Sequence, residues 1–221
     1  MPRIARAVIA GVPHHVTQRG NRREDVFFSN GDRKRYLELL REYSEKHDLE
    51  ILAFCLMSNH VHLVVRPQRE ESLAGTLKPV DLRYAQHVNW TQHLSGRLWQ
   101  GRYFSCALDD EHYRAAVRYV ERNPVRAGLV KRAEDYRWSS AAAHCGRVKS
   151  ELLMRDERLE AAVGDWSAWL AGHDDAEMML SLRARTRTGR PAGNARFIAR
   201  VERMLGRVLR AKRVGRPRKG K

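Results

Sequence analysis

The amino-acid sequence predicts an α+β fold: a ferredoxin-like split βαβ unit, with an antiparallel sheet carrying helices on one face, then a C-terminal helical extension and a basic tail. Three observations lead there. Strand-length runs of large apolar residues alternate with stretches of helical periodicity, in the order strand, helix, strand, strand, helix, strand, helix. Beyond about Ser150 the pattern is helical only. Basic residues then crowd the end, where residues 183–221 hold 15 Lys/Arg against one acid, Glu202, and so carry +14 of the formal net charge of +16.

The first strand is His14-His15-Val16-Thr17-Gln18-Arg19, after a Gly11-Val12-Pro13 turn and before the basic loop Gly20-Asn21-Arg22-Arg23. Asp32 opens a helix reaching about Lys46, with Tyr36, Leu39, Leu40 and Tyr43 at spacings of three and four. Leu49 to Leu56 and His60 to Val65 read as a hairpin joined by Met57-Ser58-Asn59, and Pro67 ends it. A helical stretch from Glu70 to about Leu94 contains Pro79, where a bend or break is expected. Arg97 to Leu108 is the last strand, kinked at Gly101. Asp109 or Asp110 caps a helix through Tyr113, Val117 and Val120 that stops at Asn123-Pro124. Trp166 and Trp169 are available to dock the extension. Gly189-Arg190-Pro191 reads as a linker before an amphipathic helix on Phe197, Val201, Leu205 and Val208.

The expected division is a body at 1–150, a helical extension packing on it at 151–182, and a basic DNA-binding arm, partly disordered, at 183–221. A hydrophobic fraction of 43% in 221 residues supports a real core. No apolar run is long enough to span a bilayer, and the N-terminus lacks the apolar core of a secretory signal. Three scattered cysteines, Cys55, Cys106 and Cys145, suit reduced thiols. These features predict a soluble, cytoplasmic protein. The arm predicts a polyanion partner bound through release of counterions, although a tail kept only for solubility has the same composition. Gly-Arg-Pro occurs twice, and the second copy, Gly215-Arg216-Pro217, resembles the core of an AT-hook, with Arg190, Arg216 and Arg218 as candidate DNA contacts.

The chemistry-bearing residues fall in two places. On a strand, His60 and His62 point to one side and can share a divalent cation, while the same spacing also fits a polar network. On the last body helix, Tyr119 and Asn123 stand four apart on one face, off the stripe formed by Tyr113, Val117 and Val120. Tyr119 is therefore expected to face outward, either as an exposed amphipathic residue or as a phenolic nucleophile. Asn123 could add an oxygen ligand.

Met57-Ser58-Asn59-His60-Val61-His62-Leu63-Val64 and Tyr119-Val120-Glu121-Arg122-Asn123-Pro124-Val125-Arg126-Ala127-Gly128-Leu129-Val130 resemble the two signature motifs of the REP-associated tyrosine transposases, which are single-tyrosine HUH transposases. Val16-Thr17-Gln18-Arg19-Gly20-Asn21 and Tyr136-Arg137-Trp138-Ser139-Ser140 are similar to that family too, so the likeness covers roughly residues 8–145. The resemblance implies that His60 and His62 hold Mg²⁺ or Mn²⁺ and that Tyr119 attacks DNA to form a 5′-phosphotyrosine. Asn123 stands where insertion-sequence relatives carry a glutamine as third ligand, one methylene shorter. The implied substrate is single-stranded or hairpin DNA of the REP type, in a bacterial, nucleoid-associated setting, with monomer and homodimer both open. Arg19, Arg22 and Arg23 in the first loop and Arg102 and Tyr103 on the last strand are candidate DNA contacts, although each also fits a solvated surface. The competing readings are a non-catalytic nucleic-acid binder, an RNA-binding domain and a water-using phosphodiesterase.

Overall fold

A computed structural model of the chain describes residues 6–209. Arg216 and Arg218, with the second Gly-Arg-Pro, lie outside the described residues. The strands are β1 (His14–Arg19), β2 (Leu49–Leu56), β3 (His60–Pro67) and β4 (Phe104–Ala107). The helices are α1 (Asn30–Lys46), α2 (Ser72–Thr91), α3 (Asp110–Glu121), α4 (Asn123–Arg126), α5 (Ala141–His144), α6 (Glu157–Val163), α7 (Trp166–Ala171), α8 (Ala176–Thr188) and α9 (Ala195–Leu205). The sheet order is β2-β3-β1-β4 with every pair antiparallel, which is the split βαβ arrangement.

Side chains alternate across this sheet. Val16, Phe54, Leu56, Val61, Leu63 and Val65 pack under the crossover helices α1 and α2, with Tyr36, Leu40, Leu77 and Tyr84. Ser29, not Asp32, is the N-cap of α1; Asp32 occupies the third helical position and completes a capping box. The other face is not left to solvent. Ala53, Cys55, Val64 and Cys106 lie under α3, with Leu159, Trp166 and Leu182 from the extension. Helices therefore cover both faces rather than one, because the apolar alternation of β2 and β3 leaves two faces to bury.

Pro79 does not break α2. A buried stripe of Leu73, Leu77, Val80, Tyr84 and Val88 runs past it on both sides. Burial at ~1.5–3 kcal/mol per large side chain outweighs the ~3 kcal/mol cost of an interior proline. The last strand is shorter than expected: Trp99 still bridges Gly20 and its indole N–H donates to the Asp81 carbonyl at 2.9 Å, but the chain bends at 100–102 before β4 begins.

Asp109 caps α3 by accepting from the His112 amide, and Glu121 at its far end accepts from Ser140 and meets His144 at 2.6 Å. Those contacts fix the end of α3 that carries Tyr119. Segment 138–140 runs beside β2, where Leu56 N–H donates to the Trp138 carbonyl at 2.8 Å and Ser140 N–H to the Phe54 carbonyl at 3.0 Å. On the opposite edge Ala192 N–H donates to the Ala107 carbonyl at 2.8 Å, and Asp109 N–H to the Ala192 carbonyl at 3.0 Å. The expected division at residue 182 falls inside α8. Residues up to Leu209 are docked on the body through buried Phe197, Val201 and Leu209, so that part of the expected arm is a structural element. Among the described residues no helix is long and apolar enough to cross a membrane.

Candidate active site

His60 and His62 project from β3 toward α3, with ring centroids 4.9 Å apart at 80°. They stand across from Arg19 and Thr17 of β1. Asn59 donates from Nδ2 to the Arg23 carbonyl at 2.9 Å, which turns its Oδ1 to His60 Nδ1 at 2.6 Å. That oxygen only accepts, so His60 carries its proton on Nδ1 and keeps a lone pair on Nε2. His62 Nδ1 faces His15 Nε2 at 3.1 Å. Burial pushes the His60 imidazole down to about 4, aided by Arg19. Burial also holds His62 well below the ordinary histidine value, with His60, His15, Arg126 and Arg19 adding to it. Both rings are neutral at pH 7, the form that ligates metals.

Tyr119 does not face outward. It is 7% exposed, because α8 covers the side of α3 that the apolar stripe leaves uncovered. Its ring meets His62 and His15 edge-on, at centroid distances of 5.4 and 5.7 Å. The Arg126 guanidinium lies 4.2 Å over the ring and donates to the Tyr119 carbonyl at 2.6 Å. Arg183, from α8, donates from Nε to the phenolic oxygen at 3.2 Å.

Asn123 begins α4 and is half-buried, with its Nδ2 inaccessible and without a hydrogen-bond partner. That orphan is a donor, which would meet an acceptor such as a phosphate oxygen; a cation would need the other end of the amide, Oδ1. Among the described residues no cluster of three His, Cys, Asp or Glu side chains could hold a metal ion. A third protein ligand beside the two imidazoles would therefore have to be a neutral oxygen. The donor set fits a divalent cation with two nitrogen ligands and open positions for oxygen.

The candidate DNA contacts divide. Arg22 and Arg23 are exposed on a tight loop with φ of 52° and 66°, Arg102 is exposed, and Arg19 is half-buried on the histidine face. Tyr103 is 6% exposed with Arg6 3.7 Å over its ring, so it belongs to the core and not to a base-stacking surface. Arg190 is half-buried just before the segment laced to β4, so the first Gly-Arg-Pro is not a free strip. Sequence reasoning missed His15, Arg126 and Arg183. The alternation of His15, Thr17 and Arg19 with Val16 could have placed His15 on the histidine face; the role of Arg183 depends on a fold-back that no local signal announces.

The family comparison spans His15, His60, His62 and Tyr119, and the class it defines is that of the transposases. Residues 9–123, from just before β1 to the first residue of α4, match the family described as Transposase IS200 like, and this chain belongs to that family. A Haemophilus influenzae protein provisionally named a REP-associated tyrosine transposase is 22% identical over 127 residues, covering 52% of this chain and 70% of its own. The solved structure of a REP-associated tyrosine transposase bound to a REP hairpin matches with a TM-score of 0.56 at 19% identity, over 71% of this chain and 99% of that one. That likeness is one of fold.

Proposed function

We propose that this transposase cleaves and rejoins single-stranded or hairpin DNA through a 5′-phosphotyrosine on Tyr119, with REP-type palindromes as substrate. The observation that carries the reading is the Tyr119 ring set edge-on against His62, 5.4 Å away, beside a second neutral imidazole. The names of the two relatives support the choice of substrate. Mg²⁺ or Mn²⁺ held by His60 and His62, with the Asn123 amide as third ligand, would supply Lewis acidity at a non-bridging oxygen of the scissile phosphate. Tyr119 Oη forms the new bond to phosphorus, the bond from phosphorus to the 3′ oxygen breaks, and the phenolic proton ends on the released 3′-hydroxyl. Arg183 and Arg126 set two cations against Tyr119 and stabilise negative charge as it develops there. The ester energy stays in the covalent link, so another 3′-hydroxyl reverses the step and joins new ends.

The test is incubation of 3′-labelled hairpin DNA with Mn²⁺ and the full chain, read on a denaturing gel. A labelled band migrating with the protein, absent in chelator, is expected. DNA binding without any such band would overturn the catalytic reading in favour of a non-catalytic nucleic-acid binder.

A further inference from the structure

We infer that Thr186 of α8, acting through His15, sets the tautomer of His62, so that the C-terminal extension completes the metal-binding strand. The inference rests on the proposed role of His60 and His62. Thr186 Oγ1 donates its one proton to the Leu182 carbonyl at 2.8 Å. Toward His15 Nδ1, also at 2.8 Å, the hydroxyl can then only accept. Its second lone pair faces Cys106 Sγ at 3.2 Å, and burial pushes that thiol up to about 12, so the S–H stays protonated and able to donate. His15 therefore carries its proton on Nδ1. In the neutral ring that leaves Nε2, which faces His62, as an acceptor.

Across the 3.1 Å contact, His62 Nδ1 must be the donor, and its Nε2 keeps the lone pair. The two rings lie in nearly parallel planes, 2° apart, with centroids at 5.3 Å. That separation is too wide for face-to-face contact given the short nitrogen–nitrogen distance, so the rings meet edge to edge, as an N–H···N bond requires. His15, Cys106 and Thr186 are each no more than 3% exposed, so water does not compete for these bonds. His60, held by Asn59, presents the same tautomer. Two independent networks thus leave the lone pair of each ring on Nε2, where it could hold a cation. His15 and Thr186 are positioning residues, and Thr186 lies outside residues 9–123 that match the family.

The experiment reads imidazole tautomers by long-range ¹H–¹⁵N correlation in the metal-free full chain, and Mn²⁺ affinity by calorimetry. Wild type should show His62 protonated on Nδ1. Thr186→Val keeps the shape but removes the acceptor, so His15 and His62 should both switch tautomer and Mn²⁺ should bind about 10- to 100-fold more weakly. Thr186→Ser restores the acceptor and should restore both readouts. His15→Gln, whose Oε1 can accept from His62, should keep affinity within about threefold, whereas His15→Phe should match Thr186→Val. A wild-type His62 protonated on Nε2, or a folded Thr186→Val protein with unchanged tautomer and affinity, overturns the inference. A wild type with the expected tautomer but no Mn²⁺ binding would instead overturn the metal reading and leave the relay standing.

Discussion

The phenolic oxygen of Tyr119 accepts a hydrogen bond from Nε of Arg183, 64 residues further along the chain, at 3.2 Å. The family match ends at residue 123, so a group from outside the matched region touches the atom proposed to attack DNA. Removing that oxygen separates chemistry from structure. Tyr119→Phe should abolish the covalent adduct on a denaturing gel while the chain stays folded, with about 0.5–1.5 kcal/mol of stability lost with the hydrogen bond. An adduct that persists in the Phe variant would move the nucleophile elsewhere.

His60→Ala and His62→Ala should each abolish Mn²⁺-dependent cleavage, because one imidazole leaves too few protein ligands. Asn123→Ala should weaken cleavage more mildly, since a neutral amide is a poorer ligand than imidazole. Metal titration of the purified variants checks this; unchanged Mn²⁺ affinity without either histidine would refute the site.

Stability of the metal-free protein should fall as pH drops below about 6.5. Burial pushes His14 down to about 4, His15 to about 3 and His60 to about 4, from an ordinary 6.5. Between those values the unfolded chain binds more protons, so their contribution is complete above pH 6.5 and is lost as pH falls through the folded values, at ~1.4 kcal/mol per unit for each ring. Burial pushes the Asp81 carboxyl the other way, up to about 7, so it gains stability as pH falls and offsets one histidine. Urea unfolding from pH 7.5 to 4.5 should show the net loss. A flat profile would contradict the burial of these rings.

Two truncations divide the basic end. Ending the chain after Leu182 cuts α8 and removes Arg183, Thr186, Phe197 and Val201, at ~1.5–3 kcal/mol for each buried apolar side chain, so a markedly lower melting temperature is expected. Ending it after Leu209 removes seven Lys/Arg and no acid, and should leave the melt unchanged. If about four of those seven touch phosphate, the slope of log affinity against log salt should flatten by roughly 3. An unchanged slope would assign no phosphate contacts to residues 210–221.

The β2–β3 hairpin was legible almost to the residue, because its two apolar runs are bounded locally, by Asp48 and by Pro67. The pairing of His60 with His62 was legible for the same reason, since i and i+2 share a face whatever the rest of the chain does. Tyr119 was placed on the right helix but the wrong surroundings, because its burial depends on α8 arriving from far along the chain. His15 went unassigned because alternation alone places it on the face of Thr17 and Arg19, whereas the register of β1 on β3 brings that face beside His62. Trp99, read as part of the last strand, does bridge Gly20 and also plugs the core, but the bend at 100–102 that separates it from β4 was expected only as a kink at Gly101.

The β2 margin of the four-stranded sheet is already occupied from within, by 138–140 and by Leu153 beside Ile51, and the end of the β4 margin is capped by Ala192. A neighbouring molecule seeking to add a strand at these places would have to displace one of these segments and break its backbone bonds. Strand donation between copies is thereby disfavoured, both as a route to a dimer and as a route to aggregation.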